Sequence, residues 1–138
     1  MDVRAWTQNL SVGYMEMDRQ HKHLFAQLNE LTDATNDMSL TLQALNRFGD
    51  AMFDHFASEE RYMAAMSYPD LNSHRVAHRS FARLFANVLM RVQSHPSPAS
   101  VQEAHQTLGD WLTQHLLDTD LRLGKFLARN MEMMQAVS

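Results

Sequence analysis

At 138 residues, with 45% hydrophobic and 20% charged side chains, the chain has the size and composition of a single globular domain, 1–138, with one core, not of a disordered or fibrous protein. A formal charge of −4 without any basic block excludes the electrostatics of nucleic-acid binding; no stretch reads as a secretory leader or a membrane span, so a cytoplasmic protein without nucleic-acid or membrane partners is expected. The absence of cysteine excludes disulfides, iron–sulfur clusters and thiolate zinc, leaving carboxylates and 8 histidines as the strong metal ligands.

Glycine and proline number only 4 and 3, and the stretches between them carry apolar residues at three- and four-residue spacing, so the chain is expected to be all-α. Residues 1 to about 18 differ: Trp6, Leu10, Val12, Tyr14 and Met15 are separated by polar residues and Gly13, as in an extended arm laid on a helical body. Asp18 reads as the N-cap of a first helix from about 19 to 37, with Leu24, Phe25, Leu28 and Leu31 inside and Asn36 and Asp37 at its end. A second helix runs from about 40 to 65 through Leu42, Leu45, Phe48, Met52, Phe56 and Met63, until Ser67, Tyr68, Pro69 and Asp70 break it. The third, to about 93, places Val76, Phe81, Leu84, Phe85, Val88 and Leu89 inside. His95, Pro96, Ser97 and Pro98 form a linker. Ser100 then starts a fourth helix to about 117 with Val101, Leu108, Trp111 and Leu112 inside, and a short terminal segment carries Leu121 to Met134. The expected fold is an up-down-up-down antiparallel four-helix bundle with an extended N-terminal arm and a short C-terminal helix.

Two side chains four residues apart on a helix project from one face, about 40° apart around the axis, and can reach one metal ion. That spacing occurs at His55 and Glu59 on the second helix and at His74 and His78 on the third. His21 lies on the first helix, and His115 followed by Asp120 ends the fourth. One such pair alone is more often a chance surface pairing than a ligand set. Here the pairs coincide in height: in antiparallel packing His21 lies near a helix start, His55 past a helix middle, His74 at a start and His115 at an end, all approaching one end of the bundle.

Four stretches then follow one another in order. They are Val12 and Gly13 with Asp18, Arg19, Gln20 and His21; His55, Phe56, Glu59 and Glu60; Tyr68 and Pro69 with His74 and His78; and Trp111, Leu112, His115 and Asp120. Over nearly the whole chain this pattern resembles the hemerythrin family in its single-domain bacterial form. The resemblance implies two iron ions, cycling between Fe2+ and Fe3+ and joined by an oxo or hydroxo group. It implies that His74, His78 and His115 hold one iron, that His21 and His55 hold the other, and that Glu59 and Asp120 bridge them. Dioxygen is then expected to bind reversibly at the vacant position of the two-histidine iron, where nitric oxide or small anions would also fit. Storage, delivery or sensing of oxygen is the expected role, without enzymatic turnover and with room for an unidentified protein partner. The competing reading is a di-iron oxidase, a peroxidase or a nitric-oxide-processing enzyme on the same site. The carboxylate-rich oxygenases use Glu followed three residues later by His, and no such pair occurs here.

By angle alone Asp118 suits a site shared with His115 better than Asp120, which lies about 140° around an ideal helix. The resemblance selects Asp120 and so implies that the helix ends or distorts there. For Glu59 against Glu60, angle and resemblance agree on Glu59. His23, His95 and His105 match no ligand position and read as surface residues. Leu112, Trp111, Phe25 and Phe56 would be core residues in any bundle; by the resemblance they also wall the oxygen pocket. The 11 methionines read as core filling, with Met131, Met133 and Met134 packing on the bundle or meeting a partner.

Overall fold

The computed structural model describes residues 5–33 and 36–137, with 131–137 described by backbone alone. The side chains of Met131, Met133 and Met134 therefore lie outside the described residues. Within the described range the chain forms α1 (Met15–Asp33), α2 (Met38–Ala65), α3 (Leu71–Ser94), α4 (Pro98–His115) and α5 (Leu121–Val137), and no strand. α1 packs against α2 and α4, and α3 packs against the same two, which closes a four-membered ring. Because the connections are short, each helix runs antiparallel to the one before it, giving the expected up-down-up-down bundle.

Helix ends follow from local chemistry. Asp18 is not an N-cap: α1 begins at Met15, and the Asp18 carboxylate reaches back to accept the Val12 N–H at 2.9 Å and the Ser11 hydroxyl at 2.5 Å. That carboxylate pins the arm, which makes a short 3-10 turn at Gln8–Leu10 and bends at Gly13, where φ is +80°. Val12 then seats on α5 so closely that a Cβ on Gly124 would lie 2.2 Å from the Val12 carbonyl oxygen. Asp37 belongs to the start of α2, its side chain accepting the Leu40 N–H at 3.1 Å. α4 starts at Pro98 instead of Ser100, because Ser97 and Ser100 exchange side-chain and backbone hydrogen bonds and Pro98 takes the first helical position.

Leu24, Phe25, Leu28, Leu31, Leu45, Phe48, Met52, Phe81, Leu108 and Leu112 form the main core. A second cluster of Val12, Met17, Met63, Tyr68, Leu123 and Leu127 sits under the arm. Val76, expected inside, is 55% exposed. It lies two residues from both His74 and His78, and their inward orientation turns it about 200° away.

Candidate metal centre

Each helix brings its polar residues to the same level by ordinary periodicity, except at one point. His55 and Glu59 on α2, and His74 and His78 on α3, share faces through their four-residue spacing and are buried with His21 of α1 and His115 of α4. Asp120 reaches the same level because α4 does not stop at His115. It runs on through a π-helical turn, Leu116–Asp120, directly into α5. Widening one turn to five-residue spacing lets the fifth residue return to the face of the first. Asp120 is accordingly 0% exposed, while Asp118 faces solvent and lies 3.9 Å from Arg122. Glu60 likewise turns outward, to Arg75 at 3.2 Å.

The seven side chains converge on two overlapping groups. Glu59, His74, His78 and His115 bring ligand-type atoms within 4.8 Å of one another, and so do His21, His55, Glu59 and Asp120. Glu59 Oε1 lies 3.3 Å from Nε2 of both His55 and His78, and its Oε2 lies 3.7 Å from His74 Nε2. Asp120 Oδ1 lies 3.0 Å from His115 Nε2 and 3.2 Å from His74 Nε2, with Oδ2 3.1 Å from His21 Nε2. Each carboxylate thus faces histidines of both groups. Ligand atoms about 2.1 Å from an octahedral ion stand about 3.0 Å apart, which is the scale of these separations.

The decisive observation concerns what these atoms lack. The Nε2 atoms of His21, His55, His74, His78 and His115 and all four carboxylate oxygens of Glu59 and Asp120 are buried and complete no hydrogen bond. At roughly 1–3 kcal/mol for each unsatisfied buried group, such a set costs on the order of 10–30 kcal/mol, as much as the whole stability of a typical domain. A cation-binding centre is the arrangement that removes that cost, and five imidazoles with two carboxylates suit a transition metal.

The electrostatics agree. Burial holds the His55 imidazole down to about 3 against the partial opposition of Asp120, and burial with the neighbouring His74 and His115 holds His78 down to about 2, so both present neutral lone pairs. Burial raises Glu59 well above the usual carboxylate range, and nearby Asp120 pushes it further. For Asp120 burial acts in the same upward direction but is outweighed by the imidazoles of His115, His21 and His74, which hold it well below that range.

Around the ligands, Phe56 stacks on the His78 ring at 3.8 Å and Trp111 on the His115 ring at 4.5 Å. Those two expected pocket residues therefore lie against the three-histidine group; Phe56 also belongs with Phe25 and Leu112 to the main core, and Trp111 packs against it. Of the histidines set aside, His23 and His95 are exposed. His105 is not a surface residue: it is 3% exposed, and its Nε2 meets Asn29 Oδ1 at 2.9 Å. The three-to-four-residue stripe Val101, His105, Leu108, Leu112, His115 carries that signal in the sequence. Gln20, which no periodicity marks, sets its Oε1 2.6 Å from His55 Nδ1.

Fold and site together define a four-helix bundle with a candidate cation-binding centre, its ligand-type side chains contributed by every helix of the ring. The family model described as the hemerythrin HHE cation binding domain matches residues 12–127, and the chain belongs to the hemerythrin family. It is 32% identical over 117 residues to a myohemerythrin of Theromyzon tessulatum, covering 85% of this chain and 88% of that one. It is 27% identical over 122 residues to a bacteriohemerythrin of Stenotrophomonas maltophilia, covering 87% and 78%. Among solved structures, that of a hemerythrin point mutant superposes with a TM-score of 0.81 at 24% identity, over 93% of this chain and 99% of that one, a likeness of fold. No described helix is long and apolar enough to cross a membrane.

Proposed function

We propose that the chain, acting as one hemerythrin-like domain, holds a pair of iron ions and binds dioxygen reversibly for storage, delivery or sensing in the cytoplasm, without enzymatic turnover. What carries this reading is the set of buried Nε2 and carboxylate atoms that complete no hydrogen bond and divide into two overlapping ligand groups. His74, His78 and His115 hold one metal, His21 and His55 the other, and Glu59 and Asp120 span both.

Two iron ions held there would supply reversible dioxygen binding, with nitric oxide or small anions as competitors. The division of imidazoles leaves the two-histidine position one ligand short of its neighbour. Glu59 and Asp120, being anionic when shared, offset the charge of the pair inside an apolar bundle where isolated charge is costly. Phe56, Trp111, Phe25 and Leu112 exclude water from this level of the core, which slows loss of electrons to solvent. The absence of any Glu followed three residues later by His separates this ligand set from that of the carboxylate-rich oxygenases.

The reading is tested by loading the reduced protein with iron under anaerobic conditions, admitting oxygen and then removing it while the visible spectrum is recorded. Reversible colour with two irons per chain is the expected result. Irreversible oxidation that consumes reductant would identify an enzyme instead.

A further inference from the structure

His55 differs from His21, His74 and His78 in what lies behind it. Nδ1 of His21, His74 and His78 completes no hydrogen bond, whereas His55 Nδ1 meets Gln20 Oε1 at 2.6 Å. Gln20 does not end there. Its Nε2 lies 3.1 Å from Glu16 Oε1, and the Glu16 carboxylate is gripped in turn by both Nε and Nη2 of Arg19. A line of polar contacts therefore runs from the buried centre to an ion pair at the surface. The groove between α1 and α2, of about 500 Å³, is lined by Arg19, Gln20, Asp54 and His55 and exposes this line to solvent.

The chemistry of each link dictates the next. A carboxylate can only accept, so the Gln20 amide must turn its N–H toward Glu16. Its carbonyl oxygen must then face His55. That oxygen can only accept, so His55 must carry its proton on Nδ1, leaving the Nε2 lone pair aimed at Glu59 and the centre. Arg19, and after it Gln20, hold Glu16 down to about 2, so the anchoring carboxylate is ionised at any physiological pH.

We infer that Gln20, oriented by Glu16, is a positioning residue: it fixes the tautomer and ring orientation of His55 and thereby selectively sets the affinity of the two-histidine metal position. The inference rests on the ligand assignment proposed above. An acceptor behind a ligating imidazole raises its basicity, and loss of such a partner costs about 10–100-fold in metal affinity. The three-histidine position shares no such link to Gln20 and should be indifferent to it.

The test titrates the metal-free protein with Co(II), whose visible bands count each equivalent as it binds. Wild type is expected to take up two. Gln20→Leu, which keeps the volume and removes the acceptor, should leave the first equivalent unchanged and weaken the second by about 10–100-fold. The paired change Gln20→Glu with Glu16→Gln, which keeps an acceptor for Nδ1–H and exchanges the amide and the carboxylate of the Gln20–Glu16 contact, should restore it. A second measurement needs no metal: ring 15N NMR of the metal-free wild type should show His55 as the Nδ1–H tautomer, and Gln20→Leu should lose that preference. The inference is overturned if Gln20→Leu titrates like wild type, if both equivalents weaken together, if Gln20→Glu paired with Glu16→Gln fails to restore the second, or if wild-type His55 carries its proton on Nε2. Uptake of fewer than two equivalents by wild type would instead bring down the two-metal reading itself, and this inference with it.

Discussion

Around His78 and His115 the surroundings are aromatic, beside a groove of about 160 Å³ that Trp111 and His115 help to line: Phe56 and Trp111 lie nearly parallel to the two imidazoles, at interplanar angles of 14° and 16°, and Phe81 packs behind Trp111 at 4.9 Å. Around His55 they are polar and open, with Gln20 at its back and a solvent groove beyond. The same ligand type is thus held in two ways, by ring stacking on one side and by a directed hydrogen bond on the other. Stacking resists displacement without dictating which nitrogen is protonated, while the hydrogen bond dictates the tautomer and can be tuned by what stands behind it. That difference fits a centre in which one position stays filled and the other exchanges ligands.

The largest effect is expected where the two sides meet. Glu59→Gln removes the anionic group common to both ligand groups and should lower iron content from two per chain to below one, as measured by metal analysis of the anaerobically loaded protein. The metal-free protein should respond in the opposite sense. Because burial raises Glu59 well above its usual value of 4.5, the wild-type fold is penalised at pH 7, where the unfolded carboxylate is ionised, and is relieved as the pH falls below that value. Urea unfolding of metal-free Glu59→Gln should therefore show a gain in stability at pH 7 that shrinks toward pH 4. A gain independent of pH would contradict this account.

Next in size are changes confined to one side. Trp111→Ala strips the stack from His115 and should cost about 2–4 kcal/mol, less than a fully buried tryptophan because Trp111 is only partly buried. In the Co(II) titration it should weaken the first equivalent, the mirror image of Gln20→Leu; weakening of the second alone would reverse the contrast between the two sides. Leu112→Ala should cost about 2–4 kcal/mol for a side chain 1% exposed. By admitting water it should also speed oxidation of the oxygenated protein to the ferric form, and an unchanged rate would remove Leu112 from the pocket wall.

How much of this could be read from the sequence depended on whether a feature was local. His55 with Glu59, and His74 with His78, are pairs within one helix, and helical periodicity alone puts each on one face. Agreement in height across α1 to α4 followed from antiparallel packing, itself legible from helix lengths and short connections. His105 and Val76 were misplaced although periodicity carried both answers: residue type suggested a surface histidine and a core valine, and the stripe position overrode both. Gln20 was legible only as a member of a motif. Its contact with His55 joins residues 35 apart on different helices, and a side-chain hydrogen bond between helices leaves no periodic trace.

Asp120 is the case in which periodicity gave the opposite answer, and it supplies the smallest expected effect. On an unbroken α-helix Asp118 would stand nearer the face of His115. The π turn at Leu116–Asp120 reverses the two, burying Asp120 completely and leaving Asp118 in solvent at 3.9 Å from Arg122. So long and exposed an ion pair contributes little, and Asp118→Ala should change stability by no more than about 0.5 kcal/mol and leave both Co(II) equivalents intact. Asp120→Ala should abolish uptake of the second equivalent, since it removes an oxygen facing His21 together with one facing His74 and His115. If Asp118→Ala proved the more damaging, α4 would have to run through residue 120 with ordinary α-helical spacing. The contrast between the two aspartates therefore measures the width of that one turn in solution.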